Sequence, residues 1–296
     1  MRACIGLAQA MGCGAQHERL RMTIPRLYVP QALVPAAPVE LTPAQAERLL
    51  RVLRLQAGAR VRLFNGRDGE FEGALSPSGK RAQVEDLAQV RSQTAPAPIG
   101  LLFAPLKRNA TDWLVEKAVE LGAAWLQPVM TRRTVAERVR LERLMLIAQS
   151  AAEQCERLEL PSLGAPCALE KAVETQKAAG VRVLFADEAG DDPNQPWGGP
   201  HGKAAPIAEG LGALRGARLS LLVGPEGGFE PAERARLLAQ PHVRPVSLGP
   251  RALRAETAAL AGLGILQALA GDWAESLAGC RAGVHMQQNC SGGAHE

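Results

Sequence analysis

Two segments near the C-terminus constrain this chain more than any other feature: Val223-Gly-Pro-Glu-Gly-Gly-Phe229 and Leu248-Gly-Pro-Arg-Ala-Leu-Arg-Ala-Glu-Thr257. A short apolar run precedes each and reads as a buried strand, and a helical pattern follows each. Two such strand, loop and helix units, about 20 residues apart, place two loops side by side at the carboxyl ends of parallel strands, where open α/β sheets bind ligands.

The rest of the second half follows the same grammar. Residues 99–104, 124–129, 181–186, 219–223 and 243–248 read as strands. Residues 111–121 read as a helix with Leu114, Val115, Ala118 and Leu121 on one face and Gly122 as its stop. Longer helical patterns cover 138–158 and 256–269. Strands alternating with helices imply a parallel α/β sheet. The last helix carries Ala259, Leu260, Leu263, Ile265, Leu266 and Leu269 nearly all round, so it is buried on more than one side, in the core or in a dimer interface.

The first half is different. Residues 24–92 read as mostly β, with strands at 26–29, 61–64, 70–75 and 82–87 and a hairpin turn at Asn65-Gly66. One helix interrupts them, capped by Thr42, with Pro43 first and Ala46, Leu49, Leu50 and Leu53 on one face. Short strands around one helix suggest a small barrel. Thr94-Ala-Pro-Ala-Pro98 is a stiff linker and marks the boundary. The expected domains are therefore 22–93 and 99–274. Met22 reads as the start of the folded chain, with 1–21 an extension or an untranslated leader, and 277–296 as a disordered tail.

The chain's 296 residues suffice for two domains. Aromatics are only 3%, which argues against reading single-stranded RNA mainly by base stacking. Net charge is +4, but Arg48, Arg51, Arg54, Arg60 and Arg62 cluster between residues 48 and 62 with no acid among them. That cluster is either a phosphate-facing patch or a solvated face. No apolar run is long enough to span a membrane, and no CxxC pair marks a zinc site or a disulfide framework. A reducing cytoplasm fits.

The glycine loop is not a nucleotide-phosphate loop. It lacks the Gly-Lys-Ser/Thr of a Walker A sequence, its spacing is not GxGxxG, and Glu226 would repel phosphate. Its glycines let the backbone approach a neutral or cationic ligand closely; the alternative is a tight turn with a helix cap. In the second loop, Arg254 and Glu256 are either a surface ion pair or groups that orient a substrate, with Arg251 adding a second guanidinium.

Together these segments, with Arg26-Leu-Tyr-Val29, Val52-Leu-Arg54, Asp112-Trp113, Glu116-Lys117, Glu120-Leu-Gly122, Glu153-Gln-Cys-Glu-Arg157 and Gly271-Asp272, make the chain resemble the RsmE family of 16S rRNA (uracil-N3)-methyltransferases, of the SPOUT superfamily. The resemblance runs from about Ile24 to Trp273. Two positions depart from the family's habit: Arg48 stands near its histidine and Leu144 near its tryptophan.

The resemblance implies an α/β SPOUT domain with a deep trefoil knot, behind a small PUA-like β-barrel that binds RNA. It implies a homodimer that acts on 16S rRNA of the small ribosomal subunit, takes its methyl group from S-adenosylmethionine and needs no metal. The implied cofactor residues are Gly224, Glu226, Gly227, Gly228, Leu248, Gly249, Leu253, Arg254, Glu256 and Thr257, with the strand end Phe185-Ala-Asp-Glu188 as a third wall.

For N3 of uracil to react, its proton must leave or the anion must be stabilised. Arg254 is the first candidate for stabiliser and Arg251 the second. Glu226 and Glu256 are both open as base, as cofactor ligands or as supports for an arginine. Arg26, Arg51, Arg54, Lys107 and Arg108 are the candidate RNA contacts. A non-catalytic RNA-binding protein with a degenerate knot, or a knotted methyltransferase of another RNA, remain the competing readings.

Overall fold

The computed structural model describes residues 24–107, 109–135, 138–187 and 204–273; the expected extension and tail, Arg108 and Glu188 lie outside the described residues. The first sheet is built from β1 (Arg26–Tyr28), β2 (Val39–Glu40), β3 (Arg60–Phe64), β4 (Glu70–Ser78) and β5 (Arg81–Arg91). Its order is β1-β3-β4-β5-β2, with β1 parallel to β3 and the other pairs antiparallel. No ladder joins β1 to β2 among the described residues, so the expected barrel is an open strand path around a core of Leu27, Leu49, Leu63, Leu75 and Val84.

Two local readings need correction. Asn65-Gly66 does not close a two-residue hairpin. The Asn65 side-chain oxygen accepts the amides of Arg67 at 3.0 Å and Asp68 at 2.9 Å, so the connection from β3 to β4 is a longer turn over residues 65–69. The capped helix α1 (Pro43–Glu47) has the expected Pro43 and a capping box between Thr42 and Gln45. It then widens into a π-helical turn, Arg48–Val52, which swings Leu53 out of the apolar stripe it was assigned to.

The second sheet contains β6 (Ile99–Phe103), β7 (Trp125–Met130), β8 (Ser162–Leu163), β9 (Cys167–Ala168), β10 (Arg182–Ala186), β11 (Leu219–Val223) and β12 (Val243–Val246). The order is β12-β10-β11-β6-β7-β8, with β9 beside β7 and every pair parallel. Helices α2 (Ala110–Glu120), α3 (Leu141–Gln154) and α6 (Ala255–Leu269) supply apolar side chains to one core, and α4 (Leu169–Ala178) and α5 (Pro231–Leu238) to another. Alternate residues of β6 and β11 serve the two cores, which is why both strands read as unbroken apolar runs.

The helix expected over 138–158 is shorter at both ends. Cys155 ends it, and Glu156 follows with a φ of 61°. In α6 the buried residues Ala255, Ala258, Ala259, Gly262, Leu263 and Leu266 form one stripe toward the sheet. Gly262 is required there, because a Cβ would stand 2.5 Å from a methyl of Leu221.

The two sheets are tied by Arg26. Its guanidinium is paired with Glu70 and donates to the carbonyl oxygens of Ala152 at 2.9 Å and Glu153 at 3.0 Å, in the last turn of α3, and of Arg157 at 2.9 Å, just beyond it. It also lies over the Phe64 ring at 4.5 Å. Glu153 answers from the other side. Its carboxylate accepts the Tyr28 amide at 3.1 Å and pairs with Arg48. Arg26 is only 6% exposed and Glu70 fully buried, so Arg26 is withdrawn as an RNA contact: its donors are already engaged inside the protein.

Candidate active site

Strands β10, β11 and β12 run parallel and end on the same side of the sheet, and a cavity of about 710 Å³ opens there. Its walls are the loop after β11, from Gly224 to Phe229, and the loop after β12, from Ser247 to Ala255. Phe185, Ala186 and Asp187 close it at the end of β10.

The glycines of the first loop have separate tasks. A Cβ on Gly224 would stand 2.5 Å from the Phe229 ring, which itself packs edge-on against Phe185 with centroids 5.1 Å apart. Gly228 has a φ of 68°, a left-handed conformation that favours glycine. The loop then enters α5 through a capping box between Glu230 and Glu233. Buried Glu233 also accepts the Arg132 amide at 2.9 Å, which holds the segment after β7 against the glycine loop. In the second loop Gly249 has a φ of 111°, and Arg254 caps α6 in extended conformation.

Gly224, Glu226, Gly227, Gly228, Leu248, Gly249, Leu253 and Arg254 all line the cavity, and Arg251 does so too. Glu226, Arg251 and Arg254 are exposed at its mouth. Glu256 and Thr257 are not brought to it. They follow the cap by two and three residues, and the helix turns Ala255 and Ala258 to the cavity instead. No ion pair joins Arg254 to Glu256 among the described residues.

Two charged cavity residues were not among those expected from the sequence. Arg133, in the segment after β7, donates to the Gly227 carbonyl at 2.9 Å. Arg234 on α5 grips buried Asp187 through contacts of 2.8 to 3.0 Å. The signal for Arg133 was available: it follows a strand at the sheet's carboxyl edge, as Lys107 does. Among the described residues no group of three or more His, Cys, Asp or Glu side chains gathers to hold a metal ion.

The candidate RNA contacts are scattered. Lys107 lines a second cleft of about 560 Å³, with Arg138, Arg140 and Arg143, beyond the carboxyl end of β6. Arg51 and Arg54 are exposed on the first domain. The basic cluster there is less free than its sequence suggested. Arg48 pairs with Glu153, and Arg60 and Arg62 share Glu72, each at 2.9 Å. The hydrogen bond from Arg62, foremost, holds the Glu72 carboxyl below the usual carboxylate range.

Both domains of this chain match known proteins. The family model for the RNA methyltransferase domain matches residues 93–267, and that for the RNA methyltransferase PUA domain matches 44–87. Ribosomal RNA small subunit methyltransferase E of Synechocystis is 34% identical over 82% of this chain and 77% of its own. The chain belongs to this methyltransferase E family. Its Rickettsia conorii member is 30% identical over 80% of this chain and 93% of its own. The Neisseria gonorrhoeae member, solved bound to S-adenosylmethionine, superposes with a TM-score of 0.68 at 27% identity, over 84% of this chain and 99% of that one. The Legionella pneumophila protein Lpg2936, also solved with S-adenosylmethionine, gives 0.68 at 29% identity, over 84% and 99%.

Proposed function

We propose that this chain transfers the methyl group of S-adenosylmethionine to N3 of a uridine in 16S rRNA of the small ribosomal subunit. The observation that carries the reading is the cavity at the ends of β10, β11 and β12, in a member of the methyltransferase E family. Its residues fit the cofactor. Phe185, Val223, Leu248 and Leu253 offer apolar walls for a nucleobase, and the glycine backbone offers amides and carbonyls for the polar groups. The volume lies within the range of small-molecule sites.

Bound there, S-adenosylmethionine supplies an electrophilic methyl group on a sulfonium. The chain's part is alignment and charge. Gly224, Gly227, Gly228 and Gly249 let the backbone close on the cofactor. Arg254, with Arg251 beside it, stabilises the uracil anion as the N3 proton leaves. Glu226 is the carboxylate best placed to take that proton, because Glu256 lies off the cavity and Asp187 is held by Arg234. The target uridine must be unpaired or flipped out, since N3 is otherwise inside a base pair. Arg51, Arg54 and Lys107 hold the surrounding RNA through its phosphates.

The proposal includes the trefoil knot. The crossover between β10 and β11 pairs with the chain beyond β12, through the Ile207 amide to Ser247 oxygen and the Ser247 amide to Ala205 oxygen, both 2.9 Å. The chain then returns across the sheet to α6, which packs on β11 and β6, and this path supports threading. It includes domains over 22–93 and 99–274, work in the cytoplasm, and a homodimer, for which the partly exposed Leu269 and half-buried Ile265 of α6 offer apolar surface.

The test is nucleoside mass spectrometry of small subunits from a strain lacking the modification, after incubation with the protein and methyl-labelled S-adenosylmethionine. Label recovered as 3-methyluridine supports substrate, reaction and atom together. Label in another nucleoside moves the chemistry; cofactor binding without label moves the substrate; neither binding nor label favours a non-catalytic RNA-binding protein.

A further inference from the structure

The turn after α1 does not take the form its sequence favours. Ala46, Leu49, Leu50 and Leu53 are spaced to continue a helical stripe on the first core. Instead the backbone widens to a π turn, closed by the Leu53 amide on the Arg48 carbonyl at 2.9 Å and the Leu55 amide on the Leu49 carbonyl at 2.9 Å. Leu49 stays buried, and Leu50 and Leu55 pack beside it. Val52 is 71% exposed and Leu53 41%. Arg54 follows with a φ of 53°, a left-handed conformation that strains a residue carrying a Cβ.

Isolated π turns and strained non-glycine residues concentrate at functional sites. This one displays two aliphatic side chains between two guanidiniums. Arg51 has only exposed Glu47 within reach, at 4.0 Å, and Arg54 has no acid partner among the described residues. The start of the turn is anchored to α3 through Arg48 and Glu153, so its position is fixed relative to the second domain. The PUA-domain match, 44–87, includes it.

We propose that Arg51–Arg54 is an RNA-docking tip: Val52 and Leu53 press against an unstacked base of the rRNA substrate while Arg51 and Arg54 sit on the flanking phosphates. The inference rests on the rRNA reading above and adds the contact that reading lacks. Apolar contact to a splayed base supplies affinity without salt dependence, and the arginines supply the salt-dependent part.

The experiment measures binding of the full chain to small subunits lacking the modification, across a range of salt. V52S/L53S, which removes the aliphatic area the base would cover, lowers affinity about tenfold with the salt slope unchanged. R54G, which keeps the left-handed backbone accessible, lowers affinity and reduces the slope of log K against log salt by about 0.7 to 0.9. S-adenosylmethionine binding serves as the folding control for both, since neither site borders the cavity. Wild-type affinity and slope in both variants, with methylation intact, overturn the tip and leave the function standing. Lost affinity accompanied by a changed oligomeric state also overturns it, assigning the turn to a contact between copies. A wild-type protein that neither binds nor methylates the subunits defeats the function and the tip together.

Discussion

Gly224→Ala is the sharpest test of the site's construction. The added Cβ would stand 2.5 Å from Cε2 of Phe229 and 3.0 Å from its Cδ2 and Cζ, where ordinary contact begins at 3.4 Å. The ring cannot simply swing away, because it meets the buried Phe185 edge-on at 5.1 Å. The glycine loop must therefore shift by roughly 1 Å, and overpacking of this kind costs about 1–3 kcal/mol. Taken from the cofactor complex, that is a loss of about 5- to 150-fold in affinity. Calorimetric titration with S-adenosylmethionine reads the loss, and thermal unfolding reads any share taken from the fold. Trimming the ring should relieve the clash, so Gly224→Ala/Phe229→Leu should bind better than the two single effects summed. Wild-type affinity and Tm in Gly224→Ala, or plain additivity in the double variant, would refute the packing argument.

Removing Arg26 leaves the buried Glu70 carboxylate only the longer pairing with Arg91, at 3.7 Å, so Arg26→Met should cost about 3 kcal/mol in urea unfolding. Its residual RNA binding should keep the wild-type salt slope; a slope reduced by about one unit would restore Arg26 as a phosphate contact. Arg254→Ala should fold and bind S-adenosylmethionine but turn over about 10²- to 10³-fold more slowly, and normal turnover would end its proposed role. Acid should weaken the first domain. Glu72 is held low first by Arg62, and Asp68 first by the Leu33 amide, so both favour the folded state above the ordinary carboxylate range. That contribution disappears as pH falls through their lowered values. Urea titrations from pH 7 down should show it, and Glu72→Gln should flatten the acid limb.

Much of the second domain could be read from the chain because its determinants are local. The buried runs at 99–103 and 219–223, the stop at Gly122 and the two glycine-bearing loops all carry their cause within a few residues. What escaped reading depended on partners distant in sequence. Arg26 looks like a free cation until β1 places it beneath Ala152, Glu153 and Arg157. Arg60 and Arg62 look unopposed until the β3–β4 register sets Glu72 opposite. Glu256 and Thr257 belong to the motif, but the helix phase set by the Arg254 cap turns them off the cavity. Leu53 obeys the helical period that its own backbone abandons.

The clamp between the sheets also has a metrical consequence. With Arg26 holding three carbonyls at the C-terminal end of α3 and Glu153 holding Tyr28 and Arg48 in return, the first domain has little freedom to swing. The separation between the exposed arginine turn and the cavity mouth is thus a fixed length. On the proposed docking of that turn and the proposed uridine chemistry, such a molecule measures its target: it accepts an RNA only where a dockable segment and an unpaired uridine lie that same distance apart. A folded subunit can supply this spacing where a free strand of identical sequence does not hold it.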